Sequence, residues 1–261
     1  MAEFKVAVCL SGQLRQWEIA HQNQIQFFGN NKVYEVDYFI HTWNYSTDRA
    51  GVSQPHQKRD VTQEEFDKLL KKYKPKKSIF DNKDSEDFWS GDWWAGLFYS
   101  FAQSVMLKRQ YEIENNFEYD IVIKSRPDIV FDPNRKFVTH YLENNLIYTT
   151  HAGVQESEFS MFNVNDCCFY GNSYTMDLLT NLYYYRMKVV NGNSGYTKFN
   201  FHPLGPGTLM GEFFRDNGIN YMTQKGWRET LIKLGCPTDL DLNNQREFAK
   251  LEKYFRNWYT K

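Results

Sequence analysis

Apolar residues recur along this chain in two rhythms. Short unbroken runs, "FKVAVCL" near the start, "VDYFI" from Val36 and "YDIVI" from Tyr119, read as strands buried on both faces. Between them the spacing lengthens to a helical period. Trp94, Leu97, Phe98, Phe101 and Val105 fall at i, i+3, i+4, i+7 and i+11, which is one apolar stripe on a helix. Further helices are expected from Trp17 to Phe28 and from Asp60 to Tyr73, the latter opened by the capping box "TQEE" at Thr62–Glu65. "KKSIFD", "LIYTTHA" and "DCCFYGNS" read as short strands. "SYTMDLLTNLYYYRMKVV" reads as one helix, "GTLMGEFFRDNGI" as a helix closed by Gly218, and Asn243–Trp258 as an amphipathic tail helix.

Strands that alternate with helices predict an α/β fold with a mainly parallel central sheet flanked by helices. No repeat or Pro/Ser-rich linker divides the chain, so residues 1–261 are expected to form a single domain. At 41% hydrophobic and 18% aromatic residues, the 261-residue chain can bury a sizeable core. The net charge of −1 gives no global field toward nucleic acid or anionic lipid, which argues against a nucleic-acid partner. No apolar run approaches the length of a membrane span, and the first residues do not make a signal peptide, so a cytoplasmic protein is expected. Cys9, Cys167, Cys168 and Cys236 form no CxxC pair and read as reduced core thiols, the adjacent two facing opposite sides of a strand.

In parallel α/β sheets ligands bind beyond the carboxyl ends of the strands. Those ends here are polar: Ser11-Gly12-Gln13-Leu14-Arg15, then His41-Thr42-Trp43-Asn44, then Lys124 to Asp128. The last of these, in "YDIVIKSRPDIVFD", places charges where a buried strand would otherwise continue. Arg126 and Asp128 share a face, about 6.6 Å apart along an extended chain, and Pro127 keeps Arg126 out of the helical region. Two readings stand at this point. The pair is a salt bridge capping the strand, or it is a polyphosphate site in which Asp128 holds a divalent cation and Arg126 offers its donors to phosphate oxygens.

"VAVCLSGQLRQW", "VDYFIHTWN", "YDIVIKSRPDIVF" and "NDCCFYGNSYTMD", in this order, resemble the GT-A-fold glycosyltransferases of bacterial polysaccharide clusters, phages and large viruses, and are similar to the WavE-type lipopolysaccharide-synthesis proteins. The resemblance implies a Rossmann-like GT-A domain, with a nucleotide-binding half over residues 1–132 and an acceptor-side half with C-terminal helices over 133–261. It implies transfer of a sugar from a nucleotide-sugar donor to a saccharide hydroxyl in polysaccharide biosynthesis. A non-catalytic nucleotide-sugar or glycan-binding module on the same fold is the alternative. By the same resemblance Ser11, Gly12 and Arg15 line the nucleotide pocket, Thr42 and Trp43 form its wall, and Arg126-Pro127-Asp128 stands where a DxD motif would grip Mn²⁺ or Mg²⁺ and the diphosphate. Arginine replaces the first aspartate of that motif.

The resemblance also puts Asp166 where an acidic residue faces the acceptor, as the general base, against the plainer reading of "NVND" as a turn. Glu212 is a rival base inside a helical pattern and is expected to be structural. His202 in "FHPLGPG" is a candidate late metal ligand or a structural histidine, in a loop able to close over substrate. "WSGDWWAG" is either an acceptor platform or an aromatic plug on its helix. The six lysines of "KLLKKYKPKK" read as a solvated helix end, with weak contact to an anionic surface as the other reading. A nuclease of the PD-(D/E)xK kind lacks its E-x-K, and no facing carboxylate pair announces a glycosidase.

Overall fold

The first apolar run becomes strand β1 (Phe4–Ser11), in which Val6, Ala7, Val8, Cys9 and Leu10 are all fully buried. The computed structural model describes residues 3–48, 57–82, 93–135, 137, 142–149, 164–190, 206–223, 229–231 and 241–258. After β1 come α1 (Trp17–Gly29), β2 (Tyr34–Trp43), β3 (Tyr45–Asp48), β4 (Gln57–Asp60), α2 (Gln63–Tyr73) and β5 (Lys77–Asp81). Next along the chain are α3 (Trp93–Asn115), β6 (Ile121–Ser125), β7 (Ile129–Phe131), β8 (Leu146–Thr149) and β9 (Phe169–Gly171). The remainder is α4 (Ser173–Leu178), a 3-10 turn, α5 (Leu182–Val190), α6 (Pro206–Asp216), β10 (Asn220–Thr223), β11 (Glu229–Leu231) and α7 (Gln245–Trp258).

Seven strands form one sheet in the order β5-β2-β1-β6-β9-β8-β10. Its neighbours run parallel except around β9, which is antiparallel to both β6 and β8. This is the mainly parallel α/β sheet that the alternating pattern predicts. The chain builds outward from β1 through β2 to β5, then crosses back to set β6 on the other side of β1. That reversal creates a topological switch point between β1 and β6, the place where parallel sheets generally take their ligands.

The alternation of side chains along β1 sorts the core into two layers. Val6, Val8 and Leu10 join Ile121 and Ile123 against Phe27 and Phe28 of α1 and Phe66, Leu69 and Tyr73 of α2. Ala7, Cys9, Phe39 and Val122 face Phe98, Phe101 and Val105 of α3 and Leu209, Met210 and Phe213 of α6. Each fully buried large apolar side chain contributes about 1.5–3 kcal/mol. From Phe98 to Val105 the stripe read from the sequence is therefore the inner face of α3, with Leu97 partly buried beside it.

The structure departs from the pattern in several places. Asp60 ends β4 rather than opening a helix; α2 starts after Thr62, whose hydroxyl accepts from Glu65 N at 3.2 Å. The Glu65 carboxylate turns instead to Arg59 and to Trp17 Nε1. The helix expected over 173–190 is broken by a 3-10 turn at Leu179–Asn181. "DCCFYGNS" supplies only the short β9, and Cys167 and Cys168 lie in the bend before it, both packed on the α1-side cluster rather than on opposite faces. Cys9, Cys167 and Cys168 are thiols outside any disulfide, and Cys236 lies outside the described residues. Gly218 adopts φ 63°, and Ile219 N donates to Phe214 O at 2.8 Å, which closes α6 as expected. Three of the lysines between Lys68 and Lys77 pair with Glu64, Asp37 and Glu114, which spreads their charge over separate acids. Among the described residues no helix is long and apolar enough to cross a membrane.

Candidate functional site

At the switch point the end of β1 runs into a turn that is tied down from three sides. Gly12 N donates to His41 O at 3.3 Å, and Thr42 Oγ1 donates to Gly12 O at 2.8 Å. Gln13 Oε1 accepts from Thr47 N at 2.8 Å and from Arg15 Nε at 3.0 Å, while Arg59 Nη2 donates to Leu14 O at 2.7 Å. Gly12 has φ 120°, and a Cβ there would meet nothing within 4 Å, so its backbone conformation rather than its surroundings demands glycine. The turn leads into α1, whose N-cap Gln16 makes no side-chain cap. A helix N-terminus with uncapped N–H groups carries partial positive charge.

On the other side of the switch point, β6 ends at Ser125, opposite Leu10 of β1. The Ser125 hydroxyl is fully buried and makes no hydrogen bond among the described residues. Beyond it, Arg126 and Asp128 close on each other. Nε donates to Oδ1 at 2.9 Å and Nη2 to Oδ2 at 2.6 Å. The Asp128 side chain is 1% exposed and that of Arg126 is 16% exposed. Of the two readings of the pair, the geometry seen is the salt bridge: both Asp128 oxygens accept from the guanidinium. Burial disfavours the Arg126 charge, but the Asp128 carboxylate outweighs it and holds the guanidinium pKa above its usual value. Nη1 is left pointing to Cys167 Sγ at 3.9 Å, a weak acceptor.

The turn carrying this pair is shaped by α1. Gln24 Nε2 donates to the carbonyls of Arg126 (2.9 Å), Pro127 (3.3 Å) and Ile129 (2.6 Å). Asn23 does the same for β7, giving Nδ2 to Phe131 O at 3.0 Å and accepting from Phe131 N at 2.7 Å. Two adjacent amides thus replace a strand partner, and sequence reasoning missed both. Their only signal is position: they fall between Ala20 and Phe27 on the buried side of α1, where polar residues are rare unless paired.

Because β9 runs antiparallel, its leading bend comes to the same edge as the end of β6. Lys124 is fully buried and donates to the backbone oxygens of Asp166 and of Cys167, the latter at 3.1 Å. Burial lowers the Lys124 pKa. The Asp166 carboxylate sits half-buried near the Arg126 guanidinium, with Cys167 Sγ at 3.9 Å from Oδ1. Of the residues singled out in the sequence, Ser11, Gly12, Arg15, Arg126, Asp128 and Asp166 therefore share one edge of the sheet.

Thr42 and Trp43 belong to that edge but not to an open wall. Thr42 is buried and committed to Gly12, and Trp43 is buried and stacked on Tyr99 at 5.5 Å. Beside them His41 joins Ser100 Oγ through Nδ1 (2.8 Å) and Asp81 Oδ2 through Nε2 (3.4 Å), and Tyr99 OH donates to the same carboxylate at 3.2 Å. Burial depresses the His41 pKa, so the ring is neutral, with Nε2–H toward Asp81. Ser100 is fully buried, which rules it out as a nucleophile despite its Ser-His-Asp neighbours. Glu212, on α6, has its carboxyl pushed up by burial.

A divalent cation does not fit these residues as they stand. The one acid of the motif is locked to Arg126, and among the described residues no group of three or more His, Cys, Asp and Glu side chains is placed to hold a metal ion. His202 lies outside the described residues, as do residues 89–92 of "WSGDWWAG". A surface groove of about 770 Å³, lined by Arg109, Ile113, Tyr174 and Asp177 among others, draws on the end of α3 and the start of α4 and shares no residue with the switch point.

The fold and this edge define a doubly wound α/β protein with a topological switch point between β1 and β6. Solved structures similar to it include the following two. One is a glycosyltransferase involved in glycosylation of the major capsid of PBCV-1, with 11% identity, 84% of this chain and 81% of that chain covered, and a TM-score of 0.41. The other is the apo form of the glycosyltransferase GlyE of Streptococcus pneumoniae TIGR4, with 14% identity, 85% of this chain and 45% of that chain covered, and a TM-score of 0.39. No protein-family model and no curated protein matches the chain.

Proposed function

We propose that the chain is a glycosyltransferase that binds a nucleotide-sugar at the β1/β6 switch point and passes the sugar to a hydroxyl acceptor. The observation that carries this reading is the meeting, at one sheet edge, of the Gly12 turn, the uncapped start of α1, the buried Ser125 hydroxyl, Arg126 and Asp166. Backbone N–H groups and a guanidinium at the end of a parallel strand suit a diphosphate. In the transfer, the acceptor oxygen forms a bond to the anomeric carbon. The bond from that carbon to the diphosphate breaks, with its electron pair leaving on the nucleoside diphosphate. The acceptor proton passes to the Asp166 carboxylate, whose place beside Arg126 is compatible with a base at the mouth of the crevice.

The acceptor is proposed to be a saccharide of polysaccharide biosynthesis, and thiols outside any disulfide at Cys9, Cys167 and Cys168 are consistent with work in the cytoplasm. Calorimetry with UDP, GDP and CMP tests the reading; if folded protein takes up none of them at millimolar levels, the proposal fails. A second reading has its own support. Closure of Asp128 on Arg126 favours a nucleotide-sugar-binding module without turnover. Donor hydrolysis or transfer, assayed against a panel of saccharide acceptors, separates the two: Asp166→Asn abolishes turnover but not nucleotide binding in an enzyme, and a module shows no turnover to abolish.

A further inference from the structure

Where a GT-A motif would place an acid pair, this chain places an acid already satisfied by its own arginine. We propose that the charge of the donor diphosphate is met by the Arg126 guanidinium, locked by Asp128, and not by a divalent cation. The proposal rests on the sugar-transfer reading above. A hard cation such as Mn²⁺ or Mg²⁺ needs several oxygens, of which a site of this kind supplies at least one carboxylate directly. Both Asp128 oxygens are engaged at 2.9 and 2.6 Å, and the side chain is 1% exposed. To bind metal there, the chain must first break a buried ion pair and leave a guanidinium uncompensated, which is strongly unfavourable.

The same geometry that closes the acid leaves the arginine usable. Only one edge of the guanidinium faces Asp128. Among the described residues the Nη1 edge meets the weakly accepting Cys167 Sγ at 3.9 Å, and the side chain retains 16% exposure. A planar fork fixed on one side and open on the other is suited to paired phosphate oxygens. It needs no reorganisation as negative charge grows on the leaving diphosphate. Lys124 is buried nearby and committed to the backbone oxygens of Asp166 and Cys167. Asp128 is then a positioning residue: it aims Arg126 and touches no substrate.

The test is calorimetry of UDP and GDP with the full chain, in EDTA and again with added MnCl₂, alongside Arg126→Lys. Lysine keeps the charge and a contact to Asp128, so the fold persists, as circular dichroism would verify, but the fork is lost. The expected result is a wild-type affinity the same in EDTA and Mn²⁺ within about twofold, and a loss of about tenfold in Arg126→Lys that Mn²⁺ does not restore. Nucleotide binding that appears only with Mn²⁺, or that Arg126→Lys leaves unchanged, overturns the inference while the transferase reading survives. Absence of binding under both conditions overturns the two together.

Discussion

Replacing Gln24 with leucine removes the clamp on the turn that carries Arg126 and Asp128. The side chain is fully buried and its amide serves the carbonyls of Arg126, Pro127 and Ile129, while Oε1 accepts from Tyr73 OH at 2.9 Å. Two N–H groups shared over three carbonyls count as two good hydrogen bonds, because the 3.3 Å contact to Pro127 is the weak arm of a fork. Each buried group left unpaired costs about 1–3 kcal/mol. With the Tyr73 hydroxyl included, three groups are left unpaired, so Gln24→Leu should lose about 3–9 kcal/mol, nearer the lower end because leucine fills similar volume. That is a large part of the roughly 5–15 kcal/mol that holds a typical domain. Urea unfolding reads it as a lower midpoint at unchanged slope. Tyr73→Phe, which removes only one donor, should cost about 1 kcal/mol, and the double variant should cost less than the sum because the two share a bond. A Gln24→Leu loss below about 1 kcal/mol would refute the clamp as a source of stability. An intact UDP affinity in that variant would refute its role in shaping the site.

The other expectations are simpler. Ser125→Ala removes a buried hydroxyl that has no partner among the described residues, so stability should stay constant or rise by up to about 1 kcal/mol, while nucleotide affinity falls; a stability loss counts against the unpaired assignment. Lys108 is buried and bridges Glu112 (2.9 Å), Asp177 (2.8 Å) and Ser173 (2.6 Å), so Lys108→Met should cost about 3–5 kcal/mol by taking away the buried cation that both acids share, leaving Asp177 only the exposed Arg109 at 3.8 Å. In that variant the deficit should shrink as pH falls through the carboxylate range, which pH-dependent urea melts would record. Below the usual imidazole value of 6.5, unfolded His41 takes a proton that the folded ring refuses, so stability rises with pH from the depressed folded value up to 6.5. Asp81, depressed chiefly by its hydrogen bond to His41, adds a contribution that is lost as pH falls through its folded value. His41→Asn should flatten the upper window in a pH series of thermal melts.

How much of this could be read from the sequence differs by element, for physical reasons. Runs covered on both faces, such as Val6–Leu10, announce their strands because only a sheet with two covered faces tolerates them. The reversed β9 did not announce its direction: Phe169–Gly171 is a three-residue strand, and nothing in so short a run encodes which way it lies against β6. Yet that direction is what brings Asp166 and Cys167 to the edge where Arg126 ends. Gln24 was hidden for a different reason. A glutamine in a helix reads as solvent-facing until the carbonyls it serves, more than a hundred residues later, are folded against it.

The Arg126 and Asp128 pair is where the sequence left two answers open. Buried charge at a strand end calls for something to neutralise it, and from the sequence either the pair itself or a bound ligand fills that need. In the structure the two residues lie not in an extended strand but in the turn between β6 and β7, and the flexible stem of arginine lets the fork return to the carboxylate two residues on. The neutralising partner was therefore already in the chain. Roles are redistributed here rather than lost: the acid that would have held a free cation holds one attached to the backbone. A guanidinium cannot be chelated away or exchanged, and it stays charged at any pH the fold survives. If nucleotide binding here proves indifferent to EDTA, this intramolecular pair gives the physical reason; if it demands Mn²⁺, the pair must open on binding, and Asp128 must move from the 1% exposure it has now.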